Sequence, residues 1–131
     1  MTEDLNTIAQ NNFSKWNAAL ATKDPKKVAQ LYTKDATFLP TLSDAFEHGQ
    51  SGAENYFIQF LQKNPVGVIR HAKVQHVTDD CYVYSGMYTF EVDDHGKRKD
   101  VEARFTFTYK RDEDDEWKIV HHHSSLKPCK T

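Results

Sequence analysis

The sequence predicts an α+β fold in which helices near the N-terminus pack on a curved antiparallel sheet built by the C-terminal half. Three observations carry this. Apolar residues recur at three- and four-residue steps through the first part of the chain, the period drops to two from Val66 onward, and the turn signals between the later segments leave no room for helical crossovers.

Each element has its own signal. Leu5, Ile8, Ala9, Phe13, Trp16, Ala19 and Leu20 form one stripe, which makes residues 3–22 an amphipathic helix. Asp24 followed by Pro25 supplies an N-cap and a first-turn proline for a short second helix reaching Tyr32. Ala36 to Leu39 begins a strand, and Phe46 to Gly49 is a brief extended piece. Ser51 caps a third helix whose inner face is Ala53, Tyr56, Phe57, Phe60 and Leu61, and Asn64-Pro65 stops it. Turns at Thr78 to Asp80, Asp93 to Gly96 and Asp112 to Glu116 then separate four strands at 67–77, 81–92, 99–111 and 116–125. Such short connections give an antiparallel meander. Residues 1–131 read as a single domain, without repeat or linker, and long enough for one core.

Both faces of these strands hold apolar or uncharged groups. Ala103, Phe105, Phe107 and Tyr109 share one face with Arg104, Thr106 and Thr108 on the other; Tyr82, Tyr84, Tyr88 and Phe90 oppose Val83, Ser85 and Met87. A sheet buried on one side only would carry more charge on its second side. The helices therefore cover one face and another subunit the other, so a homo-oligomer is expected.

The last strand carries the candidate site. Strict alternation from Trp117 puts Trp117, Ile119, His121 and His123 on one stripe, an apolar wall that turns polar toward a cavity mouth. Arg104, mid-strand among Thr and aromatic residues, needs a partner if buried: Glu47, Glu91 or Glu102 internally, or a ligand carboxylate held bidentately. For acid–base chemistry the candidates are His121, His123, Asp35, Tyr32 and Tyr56, and no spacing selects a pair among them. His71 and His76 add imidazoles on a neighbouring strand, yet no Cys pair or His-Glu-x-x-His helix supports a metal site. No nucleophile elbow, phosphate loop or dinucleotide fingerprint occurs, so no cofactor is expected.

Seventeen basic against nineteen acidic residues leave a net charge of -2, which disfavours nucleic acid and anionic membranes as partners. Cys81 and Cys129 lack metal or redox spacing and read as reduced thiols. The N-terminus has neither a basic start nor an apolar run, which predicts a cytoplasmic protein. The triple His is embedded in a regular strand pattern and reads as native sequence.

Four segments together resemble the nuclear transport factor 2-like superfamily, and within it the association (hub) domain of calcium/calmodulin-dependent protein kinase II and its stand-alone relatives. They are Leu31 to Phe38, Glu47-His48-Gly49 ahead of Tyr56-Phe57, the strand Glu102 to Arg111, and Trp117 to Ser125 with its His-x-His-x-Ser ending. The resemblance implies a cystatin-like cone, three helices over a strongly curved antiparallel sheet, that assembles through the sheet into homodimers and then rings. It implies an arginine-lined cavity that accepts small carboxylates, with Arg104 at one matching position and His121 and His123 on the matching last strand, and a kinase or other protein as partner; Tyr32 and Tyr56 are added to the expected ligand-binding residues. Gly86 and Ser124 stand where kinase hubs carry further arginines. The chain carries no kinase domain or calmodulin-binding helix, so an isolated hub is expected. The superfamily also contains ketosteroid isomerase-like and polyketide cyclase-like enzymes, and an enzyme using cavity His and Arg is the alternative expectation.

Overall fold

The computed structural model, which describes residues 4–41 and 43–128, opens with helix α1 (Leu5–Ala21). Asp4 caps it, its carboxylate accepting the Asn6 N–H at 3.3 Å, and the expected stripe buries Ala9, Phe13, Trp16 and Leu20. Helix α2 (Pro25–Ala29) is capped by Asp24, as its sequence predicts, through the Lys26 N–H at 3.0 Å. It ends sooner than expected, because Tyr32 already opens strand β1 (Tyr32–Leu39). Strand β2 (Glu47–His48) leads directly into helix α3 (Gly49–Phe60). Gly49, at φ +73°, makes that turn in a conformation that favours glycine, so the helix starts before Ser51, which is exposed in its first turn. A 3₁₀ turn (Leu61–Lys63) follows, and Asn64 ends it in the left-handed region at φ 51°.

The four long strands stand where the period-two pattern puts them: β3 (Val66–Thr78), β4 (Cys81–Asp94), β5 (Lys97–Arg111) and β6 (Trp117–Leu126). One sheet runs β2-β1-β6-β5-β4-β3. Its pairings are antiparallel except β1 with β6, which is parallel. That pairing joins opposite ends of the chain, and no local periodicity signals it. Register shifts between Ile69 and His71, between His76 and Thr78, and between Thr108 and Tyr109 add residues to one strand of a pair and bend the sheet around the helices.

The core lies between the helices and the inner face. Trp16 meets Phe107 and Phe57 edge-on at 5.5 and 6.3 Å between centroids, and Tyr32, Tyr82 and Tyr88 are fully buried with them. Burying each such ring stabilises the fold by about 1.5–3 kcal/mol. Asn17 fixes α1 to the sheet as if it were a strand neighbour, donating to Gly67 O at 2.8 Å and accepting from Gly67 N at 2.9 Å. No helix among the described residues is long and apolar enough to cross a membrane. Cys129 lies outside the described residues.

Candidate functional site

A bulge in β6 decides which histidine reaches the interior. Tyr109 pairs with Ile119 and Thr108 with His121, so Val120 is an extra residue in the ladder. The alternation begun at Ile119 reverses after it. His122 and Ser124 consequently point inward, 1% and 6% exposed, while His121 and His123 lie on the outer face opposite Thr108 and Thr106. The expected stripe of Ile119, His121 and His123 is therefore split between the two faces.

The His122 ring is sandwiched between Phe107 and Phe38, with centroids 4.0 and 4.7 Å away and interplanar angles of 19° and 9°. Both ring nitrogens are hydrogen-bonded: Nδ1 lies 2.9 Å from Tyr32 Oη and Nε2 lies 3.3 Å from Tyr88 Oη. Burial, reinforced by the neighbouring His121 and His123, holds the His122 pKa well below the usual imidazole value, so the ring is neutral.

Donor chemistry fixes the direction of the chain of bonds. Trp16 Nε1 can only donate, and it donates to Tyr32 Oη at 3.2 Å. The buried Tyr32 hydroxyl hydrogen has one acceptor among the described residues, His122 Nδ1, which places the imidazole hydrogen on Nε2, donating to Tyr88 Oη. Tyr88 in turn donates to Ser124 Oγ at 2.5 Å, and Ser124 pairs with the Thr41 hydroxyl. Burial raises the pKa of Tyr32 and of Tyr88, so both phenols keep their protons.

This chain ends in a cavity of about 600 Å³ between α3, the β1–β2 connection and the ends of β4 and β5. Its walls are apolar, from Trp16, Phe38, Tyr56, Phe57, Phe60, Phe90, Val92 and Val101; its polar floor is Thr41, Tyr88, His122 and Ser124. Among the described residues the charged side chains lining it are Glu47, Lys63, Asp94 and Lys99, two of each sign. Lys99 and Asp94 are paired at 3.7 Å.

The expected site residues are thus dispersed. Tyr56 lines the cavity and donates to the Thr41 carbonyl at 3.4 Å; Tyr32 is buried behind His122. Arg104 is exposed on the outer face between Met87 and Ser125, and among the described residues it forms no ion pair with Glu47, Glu91 or Glu102. Asp35 is exposed and bonded to Thr33. His71 and His76 are exposed on β3, and no group of three or more metal-ligating side chains converges among the described residues. His122, Ser124 and Thr41 are the site residues that alternation missed. Phe107, the register partner of His122 on β5, and Tyr88, one strand further on β4, were legible as members of aromatic strand faces, and that is the signal that could have placed His122 beside them.

Gly86 faces inward on β4, and a Cβ there would collide with the His71 carbonyl oxygen, so no side chain fits without moving β3. The serine at 124 is committed to Tyr88 and Thr41. Neither position of the expected hub arginines therefore brings a cation to the cavity.

The sequence model of the calcium/calmodulin dependent protein kinase II association domain matches residues 7–128. The chain belongs to that family. A crystal structure of a Xanthomonas campestris protein described by the same domain name is 44% identical, superposes with a TM-score of 0.91, and is matched over 97% of this chain and 90% of that one. A nuclear transport factor 2-like protein from Salmonella enterica shares the fold at 20% identity, with a TM-score of 0.77 over 98% of this association domain and 96% of its own chain. An NTF2-like protein with a cystatin-like fold from Novosphingobium aromaticivorans does so at 12% identity and a TM-score of 0.73, over 96% and 92%. No curated protein matches the sequence. The association domain is thus an α+β unit of helices on a curved six-stranded sheet, as its sequence predicts.

Proposed function

We propose that this association domain is a homo-oligomerisation module that pairs with further copies of itself through the outer face of the sheet, and that its inner cavity holds a small ligand. The observation that carries the reading is the outer face itself. Val83, Ser85 and Met87 on β4 and Thr106 and Thr108 on β5 form an uncharged, half-buried centre, while the helices pack on the opposite side. Membership of an association domain family implies self-association, and a two-fold pairing would cover this face with its own copy. Arg104, His121 and His123 lie in the same surface, where they would act as interface residues. Residues 1–131 then form one assembly unit, and Cys81, in no disulfide among the described residues, is consistent with a cytoplasmic setting.

Turnover is not part of this reading. His121 and His123 lie outside the cavity, and His122 has both nitrogens engaged, which leaves no free imidazole base there. The test is solution mass by light scattering across a concentration series. A dimer or larger closed ring is expected, with Thr106→Arg shifting it toward monomer. A monomeric wild type, or an unchanged assembly in Thr106→Arg, overturns the proposal.

A further inference from the structure

We infer that the cavity selects an uncharged ligand, with an apolar body and a carbonyl-type acceptor seated against the Thr41–Ser124 hydroxyl pair. This rests on the reading of the cavity as a ligand site and names the ligand class. It replaces the small carboxylate expected from the sequence.

Three features carry it. The first is directionality. Because the indole of Trp16 can only donate, and His122 Nδ1 is the one acceptor among the described residues for the buried Tyr32 hydroxyl hydrogen, every hydrogen from Tyr32 through His122 and Tyr88 to Ser124 is committed in one direction. Ser124 and Thr41 then hold two hydroxyl hydrogens with a single bond between them. Whichever one donates, the pair retains one hydrogen that no described residue accepts. The cavity floor therefore offers a donor, and its complement is an acceptor oxygen.

The second feature is charge. The floor is neutral: the imidazole of His122 is sandwiched between Phe38 and Phe107, and the phenol of Tyr88 is fully buried. Taking a carboxylate to that depth strips its hydration, and one hydroxyl does not replace it. At the rim the two lysines are balanced by two carboxylates, so the described residues provide no net attraction for an anion. The third is shape. Aromatic and aliphatic walls enclosing about 600 Å³ suit a ring-bearing body of drug-like size.

Three probes on one skeleton, 2-acetylnaphthalene, 2-naphthoate and 2-ethylnaphthalene, test this by NMR titration of the wild-type protein, followed at the Trp16 indole and His122 ring signals. The ketone is expected to bind saturably, about tenfold tighter than the acceptor-free hydrocarbon and tighter still than the carboxylate. Thr41→Val/Ser124→Ala, which removes both hydroxyls, should erase the preference for ketone over hydrocarbon. Naphthoate binding as tightly as the ketone, with the same signals shifting, overturns the ligand class and leaves the cavity reading intact. Equal binding of ketone and hydrocarbon overturns the role of the hydroxyl pair. No shift at either signal with any probe overturns both the inference and the cavity reading.

Discussion

His122 is the residue on which interior and surface chemistry diverge, and its protonation sets a pH dependence. In the unfolded chain an imidazole takes a proton as pH falls through its ordinary value of 6.5, whereas the folded ring stays neutral to well below that. Between those points the unfolded state binds more protons, so stability contributed by the neutral ring is intact above pH 6.5 and is lost as pH falls toward the folded pKa. The expected slope is about 1.4 kcal/mol per pH unit for this one group. Urea unfolding across that window should show it, and His122→Gln should flatten it. An unchanged slope in the variant would show that the ring is not held neutral. His121, whose pKa is lowered mainly by partial burial and then by His123, contributes with the same sign. The identity of the buried histidine was not legible in the sequence, because three adjacent imidazoles differ only in the face they occupy, and one extra backbone residue at Val120 reassigns all three. Arg104 misled for a related reason: alternating Thr and aromatic neighbours mark a two-faced strand without saying which face is covered.

At the scale of elements, most of the architecture was readable. Asp24-Pro25 specified its helix start, the stripe from Ile8 to Leu20 specified its buried face, and the turns at Asp79-Asp80 and Asp93 to Gly96 delimited the strands. Elements whose form depends on distant partners were not readable: the β1–β6 pairing, the bulges, and the start of α3 at Gly49 instead of Ser51. Gly86 belongs to this class. Gly86→Ala drives a methyl into the His71 carbonyl and must push β3 outward. A loss of about 1–3 kcal/mol is expected from such overpacking, read as a lower denaturation midpoint, and wild-type stability in Gly86→Ala would show that β3 yields freely. The N-cap of α2 gives a milder case. Asp24→Ala removes the bond to the Lys26 N–H and should cost about 1 kcal/mol, measured the same way.

For the whole molecule, the proposed function gives one sheet two tasks: its inner side closes over the neutral chain of hydrogen bonds, and its outer side, uncharged at its centre, would meet a second copy. Under that proposal assembly and ligand occupancy would share strands β4 to β6, and a ligand that straightens or bends the sheet would alter both. Light scattering of the protein with and without a bound probe measures that coupling directly, and an assembly mass indifferent to saturating probe would show the two faces to be independent. The parallel seam between β1 and β6 has a further consequence, in time instead of space. Tyr32 and His122 are separated by 90 positions, so the polar floor cannot form until the last strand has been synthesised and has found the first. Helices and the β3–β5 meander can condense earlier from local contacts, leaving the edge of β5 unpaired until β6 arrives. The cavity floor would then be completed only after the rest of this sheet, and any delay in delivering β6 would expose a β-edge open to pairing with another nascent chain of the same kind.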